Sequence, residues 1–290
     1  MALIHLDFES EFMGSNQDVY IIVPDKPRTK TPKQFYKRDQ RFKVLWLLHG
    51  TFGGYSDWIR KSNIELYACE KDLIVVMPGV GNSDYEAWDN FTLGYDADRY
   101  LVDELMPLVY NWLPASDKRA DNFIAGLSMG GAGALKFALK YPRKFSRCAS
   151  LSFVPWNYDA TRDEMEKLFA KKRSEVIDPK DVMHMNLRRY NQMHRYDSVD
   201  EYLASYSNLY RKLEESVGKK GMPKFFFSTG TEDPLMAENF VALRDHLTDL
   251  GFEAVWVEGP GTHEWRVWER DIQLAFDFFG LNGKEKGNAF

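Results

Sequence analysis

The chain has 290 residues, 44% of them hydrophobic, and 38 basic residues against 43 acidic ones give a formal charge of −5 with both signs scattered along its length. A chain of this size and apolar content can bury a sizeable core as one large α/β domain or two small ones, which excludes disorder for the bulk of it. No basic stripe suits nucleic acid, no polybasic segment suits a membrane anchor, and no run approaches the roughly 18 uninterrupted apolar residues of a membrane span.

In chain order, MALIHLDFESEF carries Asp7, Glu9 and Glu11 in place of a basic segment and an apolar run, and reads as an opening strand instead of an export signal. Short apolar runs rich in β-branched and aromatic residues follow at Val19 to Val23, Lys43 to Leu48, Leu73 to Met77, Asn122 to Ala125, Phe145 to Phe153, Lys224 to Ser228 and Glu253 to Val257. The first two strands have no helix between them, only GSNQ, which predicts an antiparallel hairpin. Asp25 to Arg41 is polar and proline-bearing and is expected to be an exposed connection. Tyr100, Leu101, Leu105, Leu108, Val109 and Trp112 recur at helical spacing, as do Trp265, Trp268, Ile272, Ala275 and Phe279. Alternating strand and helix implies a mainly parallel sheet covered on both faces by helices. From about Val154 to Gly221 no strand is evident; ATRDEMEKLFAKKRSEV and SVDEYLASYSNLYRKLEESV are helix-like, the latter opening with a Ser198 to Glu201 capping-box spacing. Residues 154–221 therefore read as a helical cap inserted in a single domain spanning 1–290. The two cysteines, Cys69 and Cys148, suit buried thiols in a reducing compartment, so the cytoplasm is the expected address.

The chemistry concentrates in Asn122 to Leu139, NFIAGLSMGGAGALKFAL, where an apolar strand runs into Gly126-Leu127-Ser128-Met129-Gly130 and then into a helical pattern. This is the strand–turn–helix setting of the G-x-S-x-G nucleophile elbow. A side chain at 126 or 130 would collide with the neighbouring strand or helix, and the serine is expected to sit in strained backbone geometry with its oxygen projecting. The following helix aims its N-terminus at that oxygen, where negative charge develops in acyl transfer. Small residues around a serine also mark ordinary strand–helix packing, and the motif acquires meaning only with partners.

Serine needs a base, and the base an orienting acid, expected in the order Ser, Asp or Glu, His. Of six histidines, His5 lies in the first strand, His184 and His194 in the insertion, His246 inside a helix, and His49 before the serine. His263, in the glycine-rich VEGPGTHEW after the last strand, is left as the base. KFFFSTGTEDPLM places Glu232 and Asp233 in the turn after the preceding strand. Either could cap the next helix, and Asp233 is preferred as the acid because its shorter side chain is more easily held against a ring nitrogen. The oxyanion needs two amides: that of Met129, after the nucleophile, and that of Thr51 in LLHGTFGG, a relative of the HGGG-type loop.

Together, VLWLLHGTFGGYSDWIRKSNIELY, LIVVMPGV, FIAGLSMGGAGALKFAL, STGTEDPL and GTHEWRVWE resemble the putative-esterase family of α/β-hydrolases, especially its tributyrin-esterase branch, neighbour to S-formylglutathione hydrolases, feruloyl esterases and the antigen-85 acyltransferases. The likeness runs from Ala2 to about Phe279. It implies an α/β-hydrolase fold with Ser128, Asp233 and His263 as the triad and Thr51 and Met129 as the oxyanion donors. Phe52, Trp156 and Trp265 stand near these motifs as candidate walls of an apolar acyl or aromatic pocket, or as core. Met165, Met183, Met185 and Met193 fall in the insertion, where they could form a soft pocket wall or hold the cap to the body. No residue cluster has metal-ligand spacing and no glycine-rich loop precedes a lysine, so neither metal nor cofactor is expected. The expected activity is a serine carboxylesterase on short- to medium-chain acyl esters, with a small-molecule ester as its partner and no nucleic acid or membrane. The alternatives are hydrolysis of S-formylglutathione or another thioester, a feruloyl or acetyl esterase acting on carbohydrate-linked esters, and a binding protein without catalysis.

Overall fold

The alternation of side chains along a strand explains how one short run can serve two cores. In Lys43–Leu48, Val44, Trp46 and Leu48 face one side of the sheet and Leu45 and Leu47 the other, and all five are buried. The computed structural model describes residues 2–88 and 94–281. Its strands are β1 (Ala2–Ser10), β2 (Ser15–Val23), β3 (Lys43–Leu48), β4 (Leu73–Pro78), the two-residue pair β5 (Ala87–Trp88) and β6 (Tyr95–Asp96), β7 (Asn122–Leu127), β8 (Arg147–Leu151), β9 (Lys224–Gly230) and β10 (Ala254–Gly259). Eight of them form one sheet in the order β1-β2-β4-β3-β7-β8-β9-β10. β1, β2 and β4 pair antiparallel and every other neighbour in that sheet pairs parallel, so the expected mostly parallel sheet with an opening hairpin is the observed one. This is the α/β-hydrolase fold.

The helices are α1 (Pro32–Phe35), α2 (Asp57–Lys61), α3 (Ile64–Glu70), α4 (Ala97–Arg99), α5 (Met106–Trp112), α6 (Met129–Lys140), α7 (Arg162–Phe169), α8 (Arg173–Val176), α9 (Met185–Met193), α10 (Val199–Ala204), α11 (Leu209–Ser216), α12 (Ala237–Asp249) and α13 (Trp265–Phe278). Residues of α5, α6, α11 and α12 fill the core on one face of the sheet, with Leu135, Phe137, Leu213 and Phe240 fully buried. Those of α2, α3 and α13 fill the other, around Trp58, Ile64, Ile272 and Phe276. Among the described residues no helix is long and apolar enough to cross a membrane.

Several local expectations are corrected. The hairpin turns at Glu11–Gly14, with Gly14 at φ 62° and Ser10 paired to Ser15, so most of GSNQ belongs to β2. The connection 25–41 holds α1, started by a Thr31–Gln34 capping box with proline in its first turn, and it buries Phe35. The helical pattern at 100–112 is not one regular helix. Tyr100–Leu105 is wound as a π-helical turn, in which the Met106 amide donates to Leu101 O, and α5 follows. Pro107 explains the break, because it has no N–H for the carbonyl a regular helix would offer it. β8 stops at Leu151, short of Phe153, because Ser152 at φ 47° turns the chain.

Between β8 and β9 the chain makes α7 to α11. SVDEYLASYSNLYRKLEESV divides at Ser205–Asn208, where the buried Asn208 caps α11 and its amide group donates to Asp159 and Leu203 O. Ser198 caps α10 as expected, but the Glu201 carboxylate accepts from the Asp197 amide instead of closing a box on Ser198. Met165 and Met193 are buried with Val199, Tyr202 and Leu203 in a small core of this segment's own, while Met183 and Met185 are exposed. The buried pair therefore knits the inserted helices to one another.

Candidate active site

Ser128 stands between the end of β7 and the first residue of α6 at φ 51°, ψ −118°, a conformation that costs a non-glycine residue on the order of 1–3 kcal/mol. Two bonds help hold it: its amide donates to Leu151 O (2.8 Å) and its carbonyl accepts from Ala132 N (3.1 Å). The flanking glycines have the mechanical role expected of them. A Cβ on Gly126 would fall 2.2 Å from Gly130 O, and one on Gly130 would fall 2.5 Å from Leu48 O in β3. Both obstacles are backbone and cannot swing aside. Gly126→Ala is therefore expected to lower the stability of the whole domain by about 3 kcal/mol or more, read as a shift in the urea midpoint; an unchanged midpoint would contradict this packing.

β9 and β10 lie side by side and deliver the other two residues. After β9 the chain turns into α12, and Asp233 is buried in that turn. Its Oδ1 accepts from the amides of Leu235 (2.9 Å) and Met236 (3.2 Å), its Oδ2 from His263 Nδ1 (2.7 Å). The carboxylate thus both fixes the turn that leads into α12 and engages the imidazole. Glu232 is exposed. His263 lies in the loop between β10 and α13, with Nε2 3.0 Å from Ser128 Oγ. Because the carboxylate accepts at Nδ1, that nitrogen carries the proton, and Nε2 is left with the lone pair to accept from the serine hydroxyl. The loop is tied to its neighbour by Thr231 N to Gly259 O (2.8 Å) and Glu232 N to Gly261 O (3.0 Å), and Arg270 donates to Pro260 O (2.6 Å). Trp268 meets the imidazole edge-on with centroids 5.1 Å apart.

The other five histidines have structural partners or positions. His5 pairs with Asp18 (2.6 Å), His246 with Glu214 (2.7 Å), His184 precedes α9 at φ 51°, and His194 stacks on Tyr190 with centroids 3.8 Å apart. His49 is buried: its Nδ1 faces Gly50 O (2.8 Å) and its Nε2 accepts from Val80 N (3.1 Å). Burial lowers its pKa below the ordinary imidazole value, so it stays neutral and braces the start of the next loop.

That loop, His49 to Gly54, runs beside the nucleophile. A Cβ on Gly50 would lie 3.5 Å from Ser128 Cβ. Gly53 N donates to Gly50 O (3.1 Å), Phe52 adopts φ 60°, and the Phe52 amide donates to Asn82 Oδ1 (2.7 Å). Met129, as the first residue of α6, has no intrahelical acceptor for its amide. Among the described residues no protein acceptor takes the Thr51 amide either.

Among the proposed pocket walls, Phe52 is 71% exposed and Trp156 47% exposed. Trp156 borders a cavity of about 160 Å³ with Tyr210, Leu235 and Met236, beside the Asp233 turn. Trp265 is partly buried and packs edge-on against Trp58 (5.2 Å) and Trp268 (5.3 Å), at the margin of the core on that face. Sequence reasoning missed the stretch Asn82 to Glu86 and the basic residues of α9 and its end that meet it. Arg188 donates to Thr51 Oγ1 (3.3 Å) and pairs with Asp84, Gln192 donates to Asp84 Oδ2 (2.9 Å), and Arg195 pairs with Glu86 (2.6 Å). The proximity of GNSDYEAW to the insertion carries no periodic signal, since the partners lie more than a hundred residues apart.

The chain is similar to known esterases and serine hydrolases over nearly its whole length. An acetyl esterase of Caldicellulosiruptor saccharolyticus is 28% identical over 281 residues, 96% of this chain and 98% of that one. The substrate-bound structure of the fluorophosphonate-binding serine hydrolase FphF of Staphylococcus aureus superimposes with a TM-score of 0.75 at 28% identity, covering 97% of this chain and 98% of the other. The S-formylglutathione hydrolase FrmB of the same organism gives a TM-score of 0.74 at 28% identity, covering 97% and 99%. The sequence profile described as Putative esterase matches residues 10–278, and the chain belongs to that family.

Proposed function

We propose that the protein is a serine carboxylesterase acting on short- to medium-chain acyl esters through an acyl-enzyme, with Ser128 as nucleophile, His263 as base and Asp233 as the acid that orients it. The observation that carries this reading is the unbroken chain from Asp233 through His263 to Ser128, with contacts of 2.7 Å and 3.0 Å, at the N-terminus of α6. Ser128 Oγ attacks the ester carbonyl carbon while its proton passes to His263 Nε2, and the carbonyl oxygen becomes an oxyanion held by the amides of Thr51 and Met129. Collapse breaks the bond to the alcohol oxygen, which leaves with the proton from Nε2. Water then attacks the acyl carbon, gives its proton to Nε2, and the serine oxygen departs by taking that proton back. Asp233 stays ionised throughout and stabilises the imidazolium. The helices between β8 and β9 act as the cap, and Phe52 and Trp156 line the approach. That the buried Cys69 and Cys148 are not joined in a disulfide supports a reducing, cytoplasmic setting.

Labelling with a fluorophosphonate probe followed by peptide mass spectrometry is expected to place one adduct on Ser128. A p-nitrophenyl ester series is expected to show turnover falling as the acyl chain lengthens beyond about eight carbons, because a small pocket cannot bury a longer chain. No adduct, or an adduct elsewhere, would favour a binding protein on a hydrolase fold. The likeness to an S-formylglutathione hydrolase and to an acetyl esterase supports two narrower substrate readings, and kinetics with S-formylglutathione and acetylated sugars beside the p-nitrophenyl esters separate them.

A further inference from the structure

We infer that Arg188, carried by α9 of the inserted segment, is a positioning residue for the ester reaction: its guanidinium holds the side chain of Thr51 and thereby sets the Thr51 amide toward the oxyanion. The inference rests on the reading of Ser128 as nucleophile and Thr51 as oxyanion donor.

Bonds hold the residues on either side of Thr51, but Thr51 itself has little else to hold it. The loop tip, Phe52, is 71% exposed and at positive φ, and the Gly53–Gly50 turn and the Asn82 bond to the Phe52 amide fix the residue after Thr51, not Thr51 itself. An oxyanion donor loses most of its value when it is misaimed by a fraction of an ångström, so a donor beside an exposed loop tip gains from an outside hold. Arg188 Nη1 supplies one at Thr51 Oγ1, 3.3 Å away.

The guanidinium is itself anchored. Its Nη2 pairs with Asp84, whose other oxygen accepts from Gln192 (2.9 Å). Asp84 is in turn fixed to the helix that carries the nucleophile: Lys136 Nζ of α6 donates to Asp84 O (3.0 Å), and Tyr85 lies against Gly133 of α6 while its hydroxyl donates to His49 O (3.0 Å). One planar fork thus joins α9, the nucleophile helix and the oxyanion loop. Arginine suits the task because it donates to two acceptors at once in fixed directions, which lysine cannot do. Thr51 and Arg188 are 137 residues apart, so the hold exists only when α9 is seated, and the oxyanion site is complete only in that arrangement.

A double-mutant cycle tests this, with kcat and KM for p-nitrophenyl butyrate normalised to active sites titrated with a fluorophosphonate. Thr51→Val and Arg188→Met are each expected to lower kcat about tenfold, less than outright loss of an oxyanion donor because the amide remains, with KM within about twofold. Thr51→Ser, which keeps the hydroxyl, is expected to recover most of the kcat that Thr51→Val loses. The double variant Thr51→Val/Arg188→Met is expected to be no slower than either single one. Losses that multiply to about a hundredfold would show independent effects and overturn the inference. So would an Arg188→Met kcat within twofold of wild type, or a Thr51→Ser enzyme as slow as Thr51→Val. A wild type whose Ser128 takes no probe would overturn the parent reading, whereas a labelled wild type with an unchanged Arg188→Met enzyme overturns this inference alone.

Discussion

Ser128→Ala is expected to lower kcat for any ester the enzyme turns over by a factor on the order of 10⁵ or more, leaving a residue of catalysis over water from the oxyanion donors and binding. Fluorophosphonate labelling should vanish with it. The fold should survive, because alanine keeps the backbone bonds to Leu151 O and Ala132 N that hold residue 128 in place. The partner test separates Asp233 from its neighbour. In Asp233→Asn the side chain can keep Oδ1 as acceptor for the amides of Leu235 and Met236, so the turn into α12 stays held. At the other position an NH₂ donor replaces Oδ2 opposite His263 Nδ1. The imidazole then places its proton on Nε2, facing a hydroxyl that needs an acceptor. A loss in kcat on the order of 10⁴ is expected, while Glu232→Gln, at an exposed position, should remain within about twofold of wild type. A fall for Glu232→Gln with little change for Asp233→Asn would exchange their roles.

What could be read from the chain without coordinates follows from how local each signal is. The Ser128 turn was legible because its requirements are consecutive in sequence: an apolar strand, glycines where backbone meets backbone at 2.2 and 2.5 Å, then helical periodicity. Asp233 and His263 were legible for a related reason. A parallel sheet sends the loops after its strands to one edge, so residues following β9 and β10 arrive beside the residue following β7 although the chain between them is long. Pairing of β9 with β10 then leaves only 2.7 Å between the chosen carboxylate and imidazole.

The failures have physical causes of the same kind. Thr31-Pro32-Lys33-Gln34 is a capping box with proline in its first turn, a helix-start signal present in the letters, but the surrounding charge made the stretch look like loop. The irregular winding at 100–105 could not be read from apolar spacing, since a π-helical turn changes the period by only part of a residue; Pro107 was the available sign. Trp265, two residues from the imidazole, suits a pocket wall or the core equally from the letters, and only the contacts of α13 show it packed against Trp58 and Trp268. The contacts of Asp84 and Glu86 with α9 and with the turn after it were beyond local reading. They are charge pairs closed over more than a hundred residues, and each partner alone looks like a solvated surface residue.

Glu86→Gln is expected to be the most damaging of the substitutions outside the triad and its glycines. Glu86 is buried and lies between Lys136 of α6, itself buried, and Arg195 just beyond α9, and it also accepts from Ser207 (3.1 Å). Two cations share one carboxylate here, so neutralising it leaves a buried ammonium facing no counter-charge. Removing one member of such a pair costs about 3–5 kcal/mol, whereas replacing Glu86 and Lys136 together by methionine should cost less, because no buried ammonium is then left without its counter-charge. The pH dependence has a definite sign. Burial alone would raise the Glu86 carboxyl, but Lys136 and then Arg195 outweigh it and hold its pKa below the ordinary value of 4.5. A carboxyl depressed in the folded state adds stability that is fully present above its unfolded pKa and is lost as pH falls through the folded one. Urea unfolding of wild type and Glu86→Gln should therefore differ by a constant amount from about pH 6 to 8, and the gap should narrow once the pH drops below about 4.5. A gap that stayed constant into acid, or that closed near neutrality, would mean that the carboxylate is not what holds the inserted helices against the nucleophile helix.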